Sequence, residues 1–114
     1  MPFLRAESMA WFWDAYLPEK DKRDEITASP LRASVDDLAG LPEAFLIVDE
    51  NDVLRDEGEA YARKLTAAGV RTTSARYNGT LHDFMMLNPL RETAASSAAI
   101  EQAIHVLRTA LGRY

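Results

Sequence analysis

The chain has no cysteine. Disulfide frameworks and cysteine-based zinc sites are therefore excluded, and the composition suits a reducing compartment. No apolar run approaches the roughly 20 residues that a membrane-spanning helix needs. The segment Met1-Pro2-Phe3-Leu4-Arg5-Ala6-Glu7 lacks the apolar core of a secretory signal. Positive charge is scarce: 13 Lys and Arg stand against 18 Asp and Glu, for a formal net charge of −5. Nucleic-acid backbones and anionic lipid surfaces need a basic face, so neither is an expected partner. There is no internal repeat and no low-complexity stretch. What is present is a hydrophobic fraction of 47% in 114 residues, enough apolar surface to fold as one domain over residues 1–114. The expectation is a soluble, cytoplasmic, acidic domain.

The pattern along the chain is α/β. Residues 7–17 read as a short helix with Ser8 as N-cap, an apolar face of Met9, Phe12, Trp13 and Tyr16, and Pro18 as its stop. Residues 18–25 read as a charged, solvated connection, and residues 36–42 as a turn. The run Ala44-Phe45-Leu46-Ile47-Val48 has no alternation, which predicts a strand buried on both faces. A helix is expected over about 56–68. Asp56 and Glu57 favour its dipole, Ala60, Tyr61, Leu65 and Ala68 form its stripe, and Gly69 sits just past its end. A second strand is expected over Thr72–Tyr77. A last helix is expected over about 90–111, with Ile100, Ile104, Leu107 and Leu111 on one face. Strand, helix, strand is a βαβ unit, and its right-handed crossover makes the strands at 44–48 and 72–77 parallel. Two strands are too few for a parallel sheet, so this one reads as part of a larger sheet or as one completed by self-association.

Two segments carry the chemistry. Asp52 lies just past the first strand, within Asp49-Glu50-Asn51-Asp52-Val53-Leu54-Arg55-Asp56-Glu57-Gly58. His82 lies past the second, within Asn78-Gly79-Thr80-Leu81-His82-Asp83-Phe84. An open parallel sheet builds its site at the C-terminal ends of its strands. An acid and a base so placed match the Asp and His of a hydrolase triad, with a helix-capping carboxylate as the alternative reading of Asp52. Calcium fails on spacing. With Asp49 as the first ligand, Val53 and Leu54 fall where an EF-hand needs a ligand and a glycine, and Ala60 where it needs its bidentate Glu. Asp83, next to His82, is expected to point elsewhere. His105 is assigned no role. Trp11-Phe12-Trp13 reads as core or interface. None of Ser8, Ser29, Ser34, Ser74, Ser96 and Ser97 sits in a Gly-x-Ser-x-Gly elbow.

These residues resemble a known family. Asp52-Val53-Leu54-Arg55-Asp56-Glu57-Gly58-Glu59-Ala60-Tyr61-Ala62 resembles the D-P-L-R-D-E-G-x-x-Y-A signature of the hormone-sensitive-lipase-like esterases, which have an α/β-hydrolase fold. Tyr77-Asn78-Gly79-Thr80-Leu81-His82-Asp83-Phe84 is similar to their Y-x-G-x-x-H-x-F signature. Trp13-Asp14-Ala15-Tyr16-Leu17 and Ala28-Ser29-Pro30-Leu31 resemble the W-x-x-Y-L and A-S-P-L segments that precede these. The resemblance implies the C-terminal part of such an esterase, with Asp52 as triad acid, His82 as triad base and a small-molecule ester as substrate. It implies no cofactor and no metal. The family's H-G-G-G and G-D-S-A-G-G segments are absent from this sequence. Val53 stands where proline is usual, and Asp83 where glycine is commoner. Two functions stay open: the acid–base portion of an ester hydrolase, and a non-catalytic remnant that only self-associates. Both predict a homodimer or larger assembly, with Trp11, Trp13, Phe45 and Ile47 at or near the interface.

Overall fold

A computed structural model describes residues 3–113. Helix α1 (Ala6–Tyr16) leads through one-turn 3-10 segments at Lys20–Asp24 and Pro30–Arg32 to the short helix α2 (Val35–Leu38). Strand β1 (Ala44–Asn51), helix α3 (Arg55–Ala67) and strand β2 (Thr72–Leu81) form the βαβ unit, and α4 (Ala94–Ala110) closes the chain. The two strands pair in parallel, with Ala44 opposite Thr72 and Asp49 opposite Tyr77. This is the parallel βαβ unit flanked by helices that the pattern predicts, and it matches the partial α/β-hydrolase sheet that the resemblance implies.

Helix α3 begins and ends where its sequence says it should. Gly69 takes φ +81°, its N–H donates to Thr66 O at 3.0 Å, and the Val70 N–H donates to Leu65 O at 3.0 Å. That pair of bonds is a Schellman closure, which a residue without Cβ adopts at least cost. The inner face of α3 packs on one side of the sheet. Ala33, Leu38, Leu65 and Val70 are buried there, with Ala44, Leu46, Tyr61 and Ala68 against them. Successive strand residues face opposite sides, so Ala44, Leu46 and Val48 share the α3 face. At Gly58, an added Cβ would lie 2.9 Å from Val48 Cγ1. The glycine of the D-E-G segment is therefore a packing requirement that lets α3 approach β1.

Several local expectations are corrected. The segment at 36–42 was expected to be a turn throughout. Instead, Ser34 caps a helical turn over Val35–Leu38: its Oγ accepts the Asp37 N–H, and the Asp37 carboxylate accepts the Ser34 N–H. That reciprocal pair is a capping box, and it buries Leu38. Helix α1 is preceded by Arg5, which makes no side-chain cap, so Ser8 lies inside the helix. On α4 the expected face is turned outward. Ile104, Leu107 and Leu111 are exposed, and the small residues Ser96 and Ala99 are buried. Small side chains permit close approach to β2, where the Tyr77 hydroxyl reaches Gln102 Oε1 at 2.6 Å. Strand β1 is not buried on both faces. Residues 44–48 are all half-buried, and among the described residues only one edge of the strand is paired.

Candidate active site

The site forms where both strands end. β1 and β2 run longer than their apolar cores, to Asn51 and Leu81, and the register slips between them: Asp49 pairs Tyr77, but Asn51 pairs Leu81. Two extra residues of β2 form a bulge, which bends a strand and re-aims the residues beyond it. Gly79 supplies the bulge's positive φ of 72°, and its N–H donates to Glu50 Oε1 at 3.2 Å. The bulge delivers His82 to the loop after β1.

His82 Nδ1 and Asp52 Oδ2 lie 2.9 Å apart. The other oxygen of Asp52, Oδ1, accepts the Leu54 N–H at 2.9 Å, immediately before α3. The same carboxylate thus closes the turn before α3 with one oxygen and meets the imidazole with the other; it does not cap the helix, whose N-cap is Leu54 with no side-chain cap. Arg55 stiffens the loop by donating from Nη1 to Glu50 O at 2.7 Å. Burial works against ionisation of Asp52. The Leu54 N–H, His82 and Asp49 together outweigh it and hold the carboxyl below its ordinary value.

The far side of the histidine loop is anchored in the core. Phe84 is buried and packs near Tyr77, ring centroids 5.8 Å apart. Ser96, fully buried at the start of α4, donates to Phe84 O at 3.0 Å. Sequence reasoning treats Ser96 only as a failed nucleophile. The signal available was a small polar residue within a helix that otherwise packs alanines.

Asp83 does not point elsewhere. Its Oδ1 lies 3.4 Å from His82 Nε2. Its φ of +64° makes it the one non-glycine residue in left-handed backbone among those described, which explains why glycine suits the position. The tight turn it makes, with Met86 and Leu87 N–H groups donating to Asp83 O, swings the carboxylate back over the ring. Asp49, noticed in the sequence only as part of an acid cluster, joins the site. It shares a face with Phe45 and Ile47 and is only 7% exposed. Asp49, Asp52 and His82 each place a polar atom within 4.8 Å of the others. At 2.9 Å the Asp52–His82 contact has the length of a hydrogen bond, so a cation would have to displace it. His105 is exposed on α4.

Beside the pair opens a groove of about 840 Å³. Phe45, Ile47 and Val48 of β1, Trp13 of α1, Leu31 and Met85 line it. Ser29 also lines it, but its Oγ donates to Arg23 O at 2.6 Å.

A family model described as "alpha/beta hydrolase fold" matches residues 1–86. The chain belongs to the α/β-hydrolase family. An esterase of Gibberella moniliformis is 33% identical over 108 residues, which cover 94% of this chain and 34% of that protein. The crystal structure of a thermostable esterase from Pseudomonas putida ECU1011 superposes with a TM-score of 0.87 at 57% identity, over 89% of this chain and 32% of the other. Brefeldin A esterase, a bacterial homologue of human hormone-sensitive lipase, superposes with a TM-score of 0.82 at 34% identity, over 89% of this chain and 28% of the other. This α/β-hydrolase chain therefore resembles part of a hormone-sensitive-lipase-like esterase. It spans about a third of the length of the curated relatives it matches.

Proposed function

We propose that this chain is the C-terminal, acid–base portion of a carboxylic ester hydrolase of the lipase and esterase type, and that residues 1–114 form one domain. The observation that carries the reading is the 2.9 Å Asp52–His82 contact at the rim of an apolar groove. In this reading, His82 Nε2 takes the proton of a serine hydroxyl as it attacks the acyl carbonyl of a small-molecule ester. The same nitrogen then returns the proton to the leaving alcohol. Asp52 orients the ring through Nδ1–H and stabilises the imidazolium. A carboxylate held ionised suits that role, and Asp52 is so held. The cellular setting is the cytoplasm.

The nucleophile and oxyanion donors are not among the motifs of these 114 residues. The isolated chain is therefore inactive, since those donors supply much of the residual catalysis even where a triad is broken. Short p-nitrophenyl esters test this. No turnover above a buffer-plus-imidazole baseline is expected. Turnover that vanishes in His82→Ala would overturn the statement of inactivity and reveal an unrecognised nucleophile.

A second reading, a remnant that only self-associates, is favoured by the exposure of Trp11, Phe12 and Tyr16 and by the unpaired edge of β1. Unpaired strand edges and large apolar patches mark interfaces. In either case the chain forms a homodimer or larger, with Trp11, Trp13, Phe45 and Ile47 at or near the contact. Light scattering that gives a folded monomer at micromolar concentration would remove that part of the proposal.

A further inference from the structure

Asp49 has no part in the acid–base chemistry of Asp52 and His82, yet it is the most deeply placed carboxyl group of the site. It is 7% exposed, and its Oδ1 is buried with no hydrogen bond from any described N–H or O–H donor. An ionised carboxylate only accepts. An ionised Asp49 would leave a buried oxygen orphaned beside a second carboxylate, which costs both desolvation and like-charge repulsion. The charged groups acting on it are Asp52 from the loop before α3, and His82 and Asp83 from the segment after β2. From its own strand, Glu50 is turned to the Gly79 N–H, and from α3 Arg55 is turned to Glu50 O and Asp56. No permanent cation among the described residues faces Asp49. A single proton relieves the conflict, because a neutral Asp49 donates where an ionised one cannot.

We propose that Asp49 is a positioning residue: its carboxyl group, carrying a proton, donates to the Asp52 carboxylate and fixes that carboxylate in the orientation that presents Oδ2 to His82 Nδ1. Burial is the main force holding the proton on Asp49, and the bond to Asp52 and its charge add to it, raising Asp49 to about 6. The same hydrogen bond helps keep Asp52 ionised. Two groups this close titrate as a pair. The pair loses its first proton below the ordinary aspartate range and its second near pH 6, and that second departure places a second negative charge beside the imidazole. The catalytic meaning of this proposal rests on the acid–base reading of Asp52 and His82.

The test is nuclear magnetic resonance of the full chain, labelled with ¹³C at aspartate side-chain carbons and ¹⁵N at histidine. The Asp49 carboxyl carbon is expected to titrate near pH 6, and the Asp52 carboxyl carbon to sense a step at the same pH. Asp49→Asn keeps an N–H donor and is expected to lose that step while retaining the Asp52–His82 hydrogen bond. Asp49→Leu fills the space without a donor and is expected to lose both. Titration of Asp49 near pH 4, like a free carboxyl group, would overturn the proposal. So would an Asp52 carboxyl carbon in Asp49→Asn that keeps the step. The first reading needs no variant, so a misfolded Asp49→Leu does not blunt the test. A missing Asp49 step removes this proposal alone, whereas a His82 ring free of Asp52 removes the acid–base reading whatever Asp49 does.

Discussion

The C-terminal end of β1 and its middle are built to different degrees of completion. At its C-terminal end, His82 lies 2.9 Å from Asp52 and 3.4 Å from Asp83, Asp49 places a polar atom within 4.8 Å of Asp52 and His82, and Leu54, Arg55, Gly79, Phe84 and Ser96 fix the loops that carry them. Along its middle, Phe45 and Ile47 line an open groove, and among the described residues one edge of the strand is unpaired. The contrast shows how the fold divides its labour. The acid–base corner depends on one crossover: two parallel strands, the helix between them and the bulge that aims the second loop. The packing of the sheet depends on neighbours that two strands do not supply. The Asp52–His82 contact can therefore be set while the sheet around it is not.

The comparison is broken most severely on the open side. Ile47→Lys puts a charge on the apolar face, and the expected result is loss of soluble, folded protein, read by sedimentation and circular dichroism. A soluble variant with wild-type light-scattering mass would detach Ile47 from any interface. Next comes the shared foundation. Leu65 is 2% exposed beneath β1, and Leu65→Ala is expected to cost about 2–5 kcal/mol in urea unfolding. Gly58→Ala drives a methyl group against Val48 Cγ1 at 2.9 Å, with an expected cost of about 1–3 kcal/mol. A neutral result would mean that α3 slides freely on β1 and that the corner is less rigid than its contacts imply. At the corner itself, Ser96→Ala removes the donor to Phe84 O and is expected to cost about 1 kcal/mol. Hydrogen exchange should speed up at residues 82–87 and leave α3 unchanged.

The finest effect is a pH dependence. Asp49 sits at about 6 in the folded chain against an ordinary value of 3.8, so folding takes up a proton there. Its contribution is fully favourable below pH 3.8, falls as pH rises to about 6, and is flat above. Asp52, held below 3.8, acts in the opposite sense: its contribution is present above that value and lost as pH falls through its lowered one. Asp49→Asn is therefore expected to gain on the wild type in urea midpoint as pH rises from about 4 to about 7. An unchanged difference at the two pH values would contradict the protonated state assigned to Asp49.

Much of this was legible in the residues. The apolar run at 44–48, the stripe and Gly69 of α3, and the two motif segments located both strands, the helix between them and the Asp52–His82 contact. The alternation of Phe45 and Ile47 extends to Asp49, so its face was readable too, but a run of five apolar residues masks a two-residue period. Asp83 was not readable: an aspartate in left-handed backbone breaks the glycine rule that sequence reasoning relies on. The extension of β2 through Asn78-Gly79 hid for a similar reason, because that pair usually signals a turn and here builds a bulge. The half-exposure of β1 reflects how much sheet surrounds it, which no local pattern encodes.

The most direct measurement of the central claim is the imidazole ¹⁵N spectrum of the uniformly labelled chain at neutral pH, with exposed His105 as the internal reference. The expected result is that His82 carries its proton on Nδ1, protected from solvent by the 2.9 Å contact with Asp52, and that Asp52→Asn releases it. A His82 ring that exchanges like His105, and is indifferent to Asp52→Asn, would contradict the claim that this chain builds the acid–base pair by itself.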